Sequence, residues 1–463
     1  MKEYTKHVNR RDFLKIVGIS TATTTAVFYG CNPNNRAGFG KNASSPVPTD
    51  EMTYRTFPAI GDRVSLLGYG CMRWPTIPSP DGNGDLIDQD AVNGLVDYAI
   101  AHGVNYFDTS PVYVQGWSEK ATGIALKKHP RNTIFIATKL SNFRDHTRES
   151  GLAMYHQSLA DLQTDYIDYY LLHSIGSGGV EAFNERYVDN GLLSFLLKER
   201  EAGRIRKLGF SFHGTIEVFD YLLSIHDEIH WDFVQIQLNY MDWQHAGQRN
   251  VNASYLYGEL TKLRIPSIIM EPLLGGRLSN IPDYLVPRYK QRSPESSVAS
   301  WAFRFAASHE FVLTVLSGMT YMEHLQDNIR TYSPLVPLTV EDRTFLEEMT
   351  ELILQYPTIP CNDCKYCMPC PYGIDIPGIL LHYNKCINEG NMPQSQGDEN
   401  YRKARRIFLV GYDRSVPKLR QASHCIGCKE CNPTCPQRIN IPEELQQIDR
   451  FVEQLKQNTS EQL

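Results

Sequence analysis

The sequence predicts a fold of the α/β class: a closed (β/α)8 barrel, the TIM barrel architecture, followed by a small, mostly helical domain organised around cysteines. Two observations carry that prediction. Between Val64 and Arg330 eight short apolar runs alternate with amphipathic stretches of helical period, and beyond them eight of the chain's 11 cysteines fall in two runs of four. Eight strand–helix units in about 270 residues fit the usual size of a closed parallel barrel with its helices outside. A doubly wound open sheet is the rival, but no Gly-x-Gly-x-x-Gly follows the first run.

Residues 1–31 read as a signal segment: Asn9, Arg10, Arg11, Asp12, Phe13, Leu14 and Lys15 precede a weakly apolar, threonine-rich stretch from Ile16 to Gly30. That order resembles a twin-arginine export signal, and the stretch is too short and polar to span a membrane, which takes about 20 apolar residues. The resemblance implies export of the folded chain by the twin-arginine machinery, to the periplasm or to a lipid-anchored place at the membrane surface. Cys31 is the candidate lipid-attachment site, with the bulky Phe28 and Tyr29 counting against it. The alternative is the frayed basic N-terminus of a cytosolic enzyme. Residues 32–51, rich in Asn, Ser, Pro and Gly without apolar periodicity, read as a flexible linker.

The barrel is expected over 52–335, with strands at 64–70, 105–109, 133–139, 166–173, 205–212, 233–239, 266–272 and 312–318. An amphipathic helix from Thr339 to Tyr356 would lead into the cysteine domain, 336–450, in which 391–400 is a polar loop; 451–463 reads as a polar tail. An apolar content of 42% with 21% charged residues is ordinary for a globular chain, and a formal net charge of -6 offers no basic field to attract nucleic acid.

Each cysteine run ends in proline: Cys361, Cys364, Cys367, Cys370 and Pro371, then Cys425, Cys428, Cys431, Cys435 and Pro436. Both exit through an Ile-x-Ile-Pro segment, Ile374 to Pro377 and Ile439 to Pro442, as a duplication would. The spacing is that by which a chain wraps an iron–sulfur cluster. Zinc suits pairs of Cys-x-x-Cys, but two runs of four thiolates fit cubic clusters better. The pattern resembles the two-cluster bacterial ferredoxins and so implies a ferredoxin-like iron–sulfur domain with two 4Fe-4S clusters. In those proteins the fourth cysteine of each run ligates the other cluster, which implies one set of Cys361, Cys364, Cys367 and Cys435 and another of Cys425, Cys428, Cys431 and Cys370. The first run departs from the pattern, with two residues rather than three between Cys367 and Cys370.

Barrels of this kind do their chemistry at the C-terminal ends of the strands. The second predicted strand ends at Asp108 with Tyr113 beyond it, the third at Lys139 and the fourth at His173. Those four residue types at those strand ends resemble the catalytic tetrad of the aldo-keto reductases. The likeness extends to Phe107-Asp108-Thr109 with Glu119, Ala137-Thr138-Lys139, Leu171-Leu172-His173, Lys207 to Ser211, Pro272 to Gly276 and Ser317-Gly318-Met319. With the cysteines, it is most similar to the branch of that family fused to a ferredoxin-like module.

The resemblance implies hydride transfer between a nicotinamide cofactor and a small carbonyl, alcohol or sugar. Negative charge grows on the carbonyl oxygen as hydride arrives, so a proton donor is needed there, the role given to Tyr113. Lys139 would stabilise the tyrosinate, Asp108 would hold the ammonium, and His173 would orient the carbonyl. Ser211 and Gln235 would hold the carboxamide, Pro272, Leu273, Gly275, Gly276 and Arg277 the pyrophosphate, and Gly318, Met319, Asp327 and Asn328 the adenosine half. Phe212 and Met270 depart from many relatives, and residues 319–326 contain no Arg or Lys to pair a 2'-phosphate, so NADP and NAD both stay open. Trp117 and Trp243 would wall the mouth or pack the loops. The clusters would exchange electrons with an outside redox partner, although hydride carries two electrons and a cluster accepts one, so a flavin or quinone would have to split the pair. The alternative is an electron-transfer or interaction protein with structural clusters and a silent barrel.

Overall fold

The computed structural model describes residues 46–80, 85–176, 178–247, 250–356 and 358–457. The twin-arginine segment, Cys31 and most of the linker lie outside the described residues. Eight strands close into a barrel in sequence order: β1 (Leu67–Gly70), β2 (Tyr106–Asp108), β3 (Phe135–Leu140), β4 (Ile167–Ile175), β5 (Ile205–Phe212), β6 (Phe233–Gln237), β7 (Ser267–Met270) and β8 (Val312–Ser317), with β8 pairing back onto β1. All eight pairings are parallel. Eight principal helices alternate with them: α1 (Gln89–Ala101), α2 (Ser118–Leu126), α3 (Arg148–Leu162), α4 (Leu192–Glu201), α5 (Ile216–Ser224), α6 (Ala253–Lys262), α7 (Val298–Ala307) and α8 (Met322–Tyr332).

Three apolar cores follow from this arrangement. Inward residues of the strands, among them Tyr106, Ala137, Tyr169, Leu171, Phe233, Ile268 and Leu313, fill the barrel. Residues on the opposite strand faces pack against the helix stripes, as strand periodicity of two and helix periodicity of 3.6 require. The third core belongs to the C-terminal module.

The apolar run 64–70 divides, which its unbroken hydrophobicity did not announce. Arg63–Ser65 pairs antiparallel with Tyr54–Thr56, and only Leu67 onward enters the barrel. Ile60 and Val64 from this hairpin pack into the strand interior and stop its N-terminal mouth. A second hairpin, Thr76–Pro78 with Asp85–Ile87, follows β1.

Helix α9 (Val340–Leu354) opens with a capping box between Thr339 and Asp342. Beyond it, α10 (Ile376–Asn388), α11 (Tyr401–Ser415) and α12 (Ile441–Gln457) enclose a core that includes Ile379, Phe408, Tyr412 and Leu445. Of the polar tail expected from 451, residues 451–457 are instead the end of α12, and the remainder lies outside the described residues. Leu445, Ile448, Val452 and Leu455 recur at helical spacing and are all buried. No helix among the described residues is long and apolar enough to cross a membrane.

Candidate active site

Strand register brings the candidate tetrad to one rim. Asp108, last in β2, stands opposite Ala137 of β3, and Lys139 shares the inward face of Ala137 two positions on. Its ammonium therefore reaches back to Asp108 Oδ1 at 2.5 Å and to the Thr109 carbonyl at 2.8 Å. Next along, Leu171 of β4 pairs with Gly209 of β5, so His173 and Ser211 lie level, and Ser211 pairs with Gln235 of β6. Tyr113 enters from the turn after β2. Its ring lies 4.8 Å from the Lys139 ammonium and meets the His173 ring edge-on at 5.9 Å.

Burial dominates the electrostatics. It lifts the Asp108 carboxyl above its ordinary value, with the Lys139 charge pulling the other way. Tyr113 is pushed well above the usual phenol range by burial, then by Tyr366 and Asp108. At rest the Tyr113 phenol therefore keeps its proton, with the Lys139 ammonium paired to Asp108 and standing beside the ring. His173 is held neutral by burial and then by the Lys139 charge. Its Nδ1 meets the Ser141 hydroxyl at 2.5 Å and the Ser110 hydroxyl at 3.4 Å. Those hydroxyls can donate to Nδ1, which leaves Nε2 to carry the imidazole proton.

The residues assigned to the dinucleotide fall along the same rim. Ser211 Oγ accepts from the Ser174 amide at 2.8 Å, and Gln235 Nε2 donates to Asp108 Oδ2 at 3.4 Å. After β7, Leu273 to Gly276 form a tight turn with Gly275 at φ 68°. Arg277 donates to Thr358 Oγ1 at 3.0 Å. After β8, Gly318 lies under the Arg73 side chain, Asn328 donates to Ser317 Oγ at 2.9 Å, and Asp327 accepts from Ser297 Oγ at 2.6 Å. Met319 is buried, its carbonyl taken by the Tyr69 hydroxyl at 2.6 Å. Pro272 and Leu273 flank Glu271, which stands at φ 54°.

Four groups escaped sequence reasoning. Tyr366, between two cysteines, lies beside Tyr113 and helps to raise its phenol. Glu271 directly follows β7 and is partly buried, its carboxyl raised by desolvation to about 7. Arg73 donates to the Asn362 carbonyl at 2.6 Å, and Arg186 to the His173 carbonyl at 2.9 Å. Glu271 alone carried a legible sign, its place at a strand end. Of the two tryptophans, Trp117 is half exposed, while Trp243 stacks on His309 at 4.5 Å with Phe305 and Tyr257 beside it, so it packs the loops.

In the module, Cys435 lies near Cys361, Cys364 and Cys367, while Cys370, Cys425 and Cys428 lie near Cys431, which is itself near Cys367. Among the described residues no three His, Cys, Asp or Glu side chains converge as ligands of a single metal ion. Thiolates around a cubic cluster bind its separate corners and so stand wider apart than the ligands of one ion.

Residues 66–350 match the Aldo/keto reductase family, more than half of the chain. The chain belongs to the aldo/keto reductase family. It is an oxidoreductase of that nicotinamide-dependent class, and its cysteine runs lie beyond the matched segment. This aldo/keto reductase is 27% identical over 318 residues to L-galactose dehydrogenase of Arabidopsis thaliana, covering 64% of this chain and 92% of that one. It is 24% identical over 328 residues to the NADH-specific methylglyoxal reductase of Escherichia coli, covering 63% and 96%. Among solved structures, the holo form of the aldo-keto reductase AKR11C1 from Bacillus halodurans superimposes with a TM-score of 0.51 at 22% identity, covering 64% of this chain and 96% of that one. An aldo-keto reductase from Klebsiella pneumoniae in complex with NADPH gives 0.51 at 20%, covering 65% and 96%. These two likenesses establish the shared barrel.

Proposed function

We propose that this aldo/keto reductase transfers hydride between NADP or NAD and a small carbonyl, alcohol or sugar at the rim formed by β2, β3 and β4. The observation that supports it is the convergence of Tyr113, Lys139, Asp108 and His173 there. The nicotinamide, when bound, supplies or accepts the hydride. In the reductive direction the neutral Tyr113 phenol holds the proton for the carbonyl oxygen, and His173, its Nδ1 fixed by Ser141, offers Nε2–H to the same oxygen. Lys139 stands by the phenol ring to meet the charge that grows as the proton leaves, and Asp108 keeps the ammonium in place. Ser211 and Gln235 lie where a carboxamide would be held, and Arg277 and the turn at Gly275 where a pyrophosphate would.

The module is read as a ferredoxin-like domain with two 4Fe-4S clusters. The thiols of Cys361, Cys364, Cys367 and Cys435 would hold one, and those of Cys425, Cys428, Cys431 and Cys370 the other; the nearness of Cys435 to the first run and of Cys370 to Cys431 supports that crossover, and Cys367 and Cys431 stand where the two sets adjoin. Such clusters pass electrons singly, in this reading to an outside redox partner. The N-terminal segment would export the folded chain to the periplasm or, through Cys31, to a membrane surface.

A second reading, a silent barrel with structural clusters, draws support from Tyr366, which lies beside the proposed proton donor. Anaerobic purification, visible and EPR spectra, and analysis of any dinucleotide released on denaturation separate the two. Bound dinucleotide together with cluster signals that respond to an added carbonyl or alcohol supports the coupled enzyme. Bleached clusters with undiminished carbonyl reduction make the clusters structural, and no turnover or dinucleotide in a fully loaded protein makes the barrel silent.

A further inference from the structure

The first cysteine run packs against the rim residues assigned above to the dinucleotide. Asn362 sits so close on Gly275 that a Cβ built there would be 2.3 Å from the Asn362 Cα. The buried Asn362 carboxamide donates to Glu271, and its backbone carbonyl accepts from Arg73 Nη2 at 2.6 Å. Asp363 pairs with Arg73 Nη1 at 3.2 Å, and Thr358 takes the donor of Arg277 at 3.0 Å. Three residues beyond Asp363, the Tyr366 side chain comes up beside Tyr113.

Each contact stands where a ligand group would. A guanidinium fork serves carboxylate and phosphate alike, so the Asp363 carboxylate and the Asn362 carbonyl occupy on Arg73 the donors a pyrophosphate would use, beside the glycine that gives it backbone access. At the other end, Tyr366 lies beside Tyr113, the proposed proton donor to a substrate carbonyl. One segment of seven residues thereby imitates the anionic middle of a dinucleotide and stands beside the proposed proton donor.

We propose that the run Cys361 to Cys367 and the dinucleotide are alternative occupants of one groove, the run acting as a built-in competitor whose departure opens the active site. The inference rests on the nicotinamide reading above. The contacts on Arg73 and Arg277 suit an exchange, because an incoming anion accepts from the same donors. Elsewhere the module meets the rim through similarly polar contacts, Gln437 to Gln237 at 3.4 Å and Asn388 to the Asn280 carbonyl at 2.6 Å. Polar interfaces of this kind between domains permit relative motion. A closed majority state also sets a level of control, since apparent affinity falls by the fraction of molecules that are open.

The test uses full-length protein purified anaerobically with its metal content intact. NADPH and NADH are titrated by fluorescence into the wild type and into Asn362→Ala/Tyr366→Phe, and deuterium exchange over residues 358–372 is followed in the wild type with and without saturating dinucleotide. The expected results are binding about tenfold tighter in the variant and faster exchange over 358–372 in the saturated wild type. Unchanged affinity, or exchange over that segment that stays constant or slows, overturns the competition while leaving the nicotinamide reading in place. Failure of both proteins to bind millimolar dinucleotide overturns both. The exchange measurement needs only the wild type, so it decides the question even where the variant does not fold.

Discussion

Tyr113 illustrates how burial assigns a chemical role. Its hydroxyl keeps its proton because a phenolate there would be desolvated beside Asp108, whose charge already occupies Lys139. Tyr113→Phe should therefore lower carbonyl turnover by about 10²–10⁴-fold, the usual worth of a positioned acid, while dinucleotide affinity by fluorescence titration stays nearly constant; retained turnover would count against the mechanism. Glu119 is the counterpart behind the site, a buried carboxyl raised to about 7 chiefly by burial and accepting from Thr138 Oγ1 at 2.5 Å. A folded value above the unfolded one means that its contribution is full below about 4.5 and is lost as pH rises through about 7. Stability measured against Glu119→Gln by urea denaturation should accordingly fall by on the order of 3 kcal/mol between those limits; a flat difference would rule out the titration. The tetrad was legible because carbonyl reduction demands particular residue types at strand ends. Arg73 and Asn362 were not, since 289 positions separate them and neither residue type signals contact with the other.

At the scale of elements, α9 couples barrel to module through its first turn. Asp342 caps the helix with Thr339 and also accepts from Arg292 at 2.8 Å and Arg304 at 3.4 Å, both on the barrel. Asp342→Ala removes a cap and a largely buried charge partner at once, so the urea midpoint should drop by an amount equivalent to about 3 kcal/mol. A change under about 0.5 kcal/mol, typical of a surface site, would mean that the helix is held by its apolar face alone. The helix itself was readable from periodicity, and so were the eight strand–helix units. The hairpin Tyr54–Thr56 with Arg63–Ser65 was not, because Val64 belongs to an apolar run continuous with Leu67 and only the pairing partner divides them. The end of α12 was misjudged for a related reason: its exposed face is so polar that Val452 and Leu455 register only once a core is there to receive them.

At the scale of the whole molecule, the barrel carries two apolar cores of its own, while the module's separate core draws on three helices and the cysteine segments between them. A domain so small is expected to need the proposed clusters as a staple. Chelation under anaerobic conditions should therefore abolish the visible absorbance and the deuterium-exchange protection of α10 to α12 while leaving that of β1 to β8 intact; protection kept by all three helices would show that they need no metal. The sequence by itself determined the class of fold, the residue types of the candidate tetrad and the cysteine spacing, because each is written in local periodicity or in short motifs whose chemistry is set by residue type. Only the tertiary structure decided that the first cysteine run lies across the barrel rim, with Asn362 on Gly275 and Tyr366 at Tyr113. That placement arises from packing between segments far apart in the chain, and hydrogen bonds formed at such separations leave no periodic trace in the order of residues.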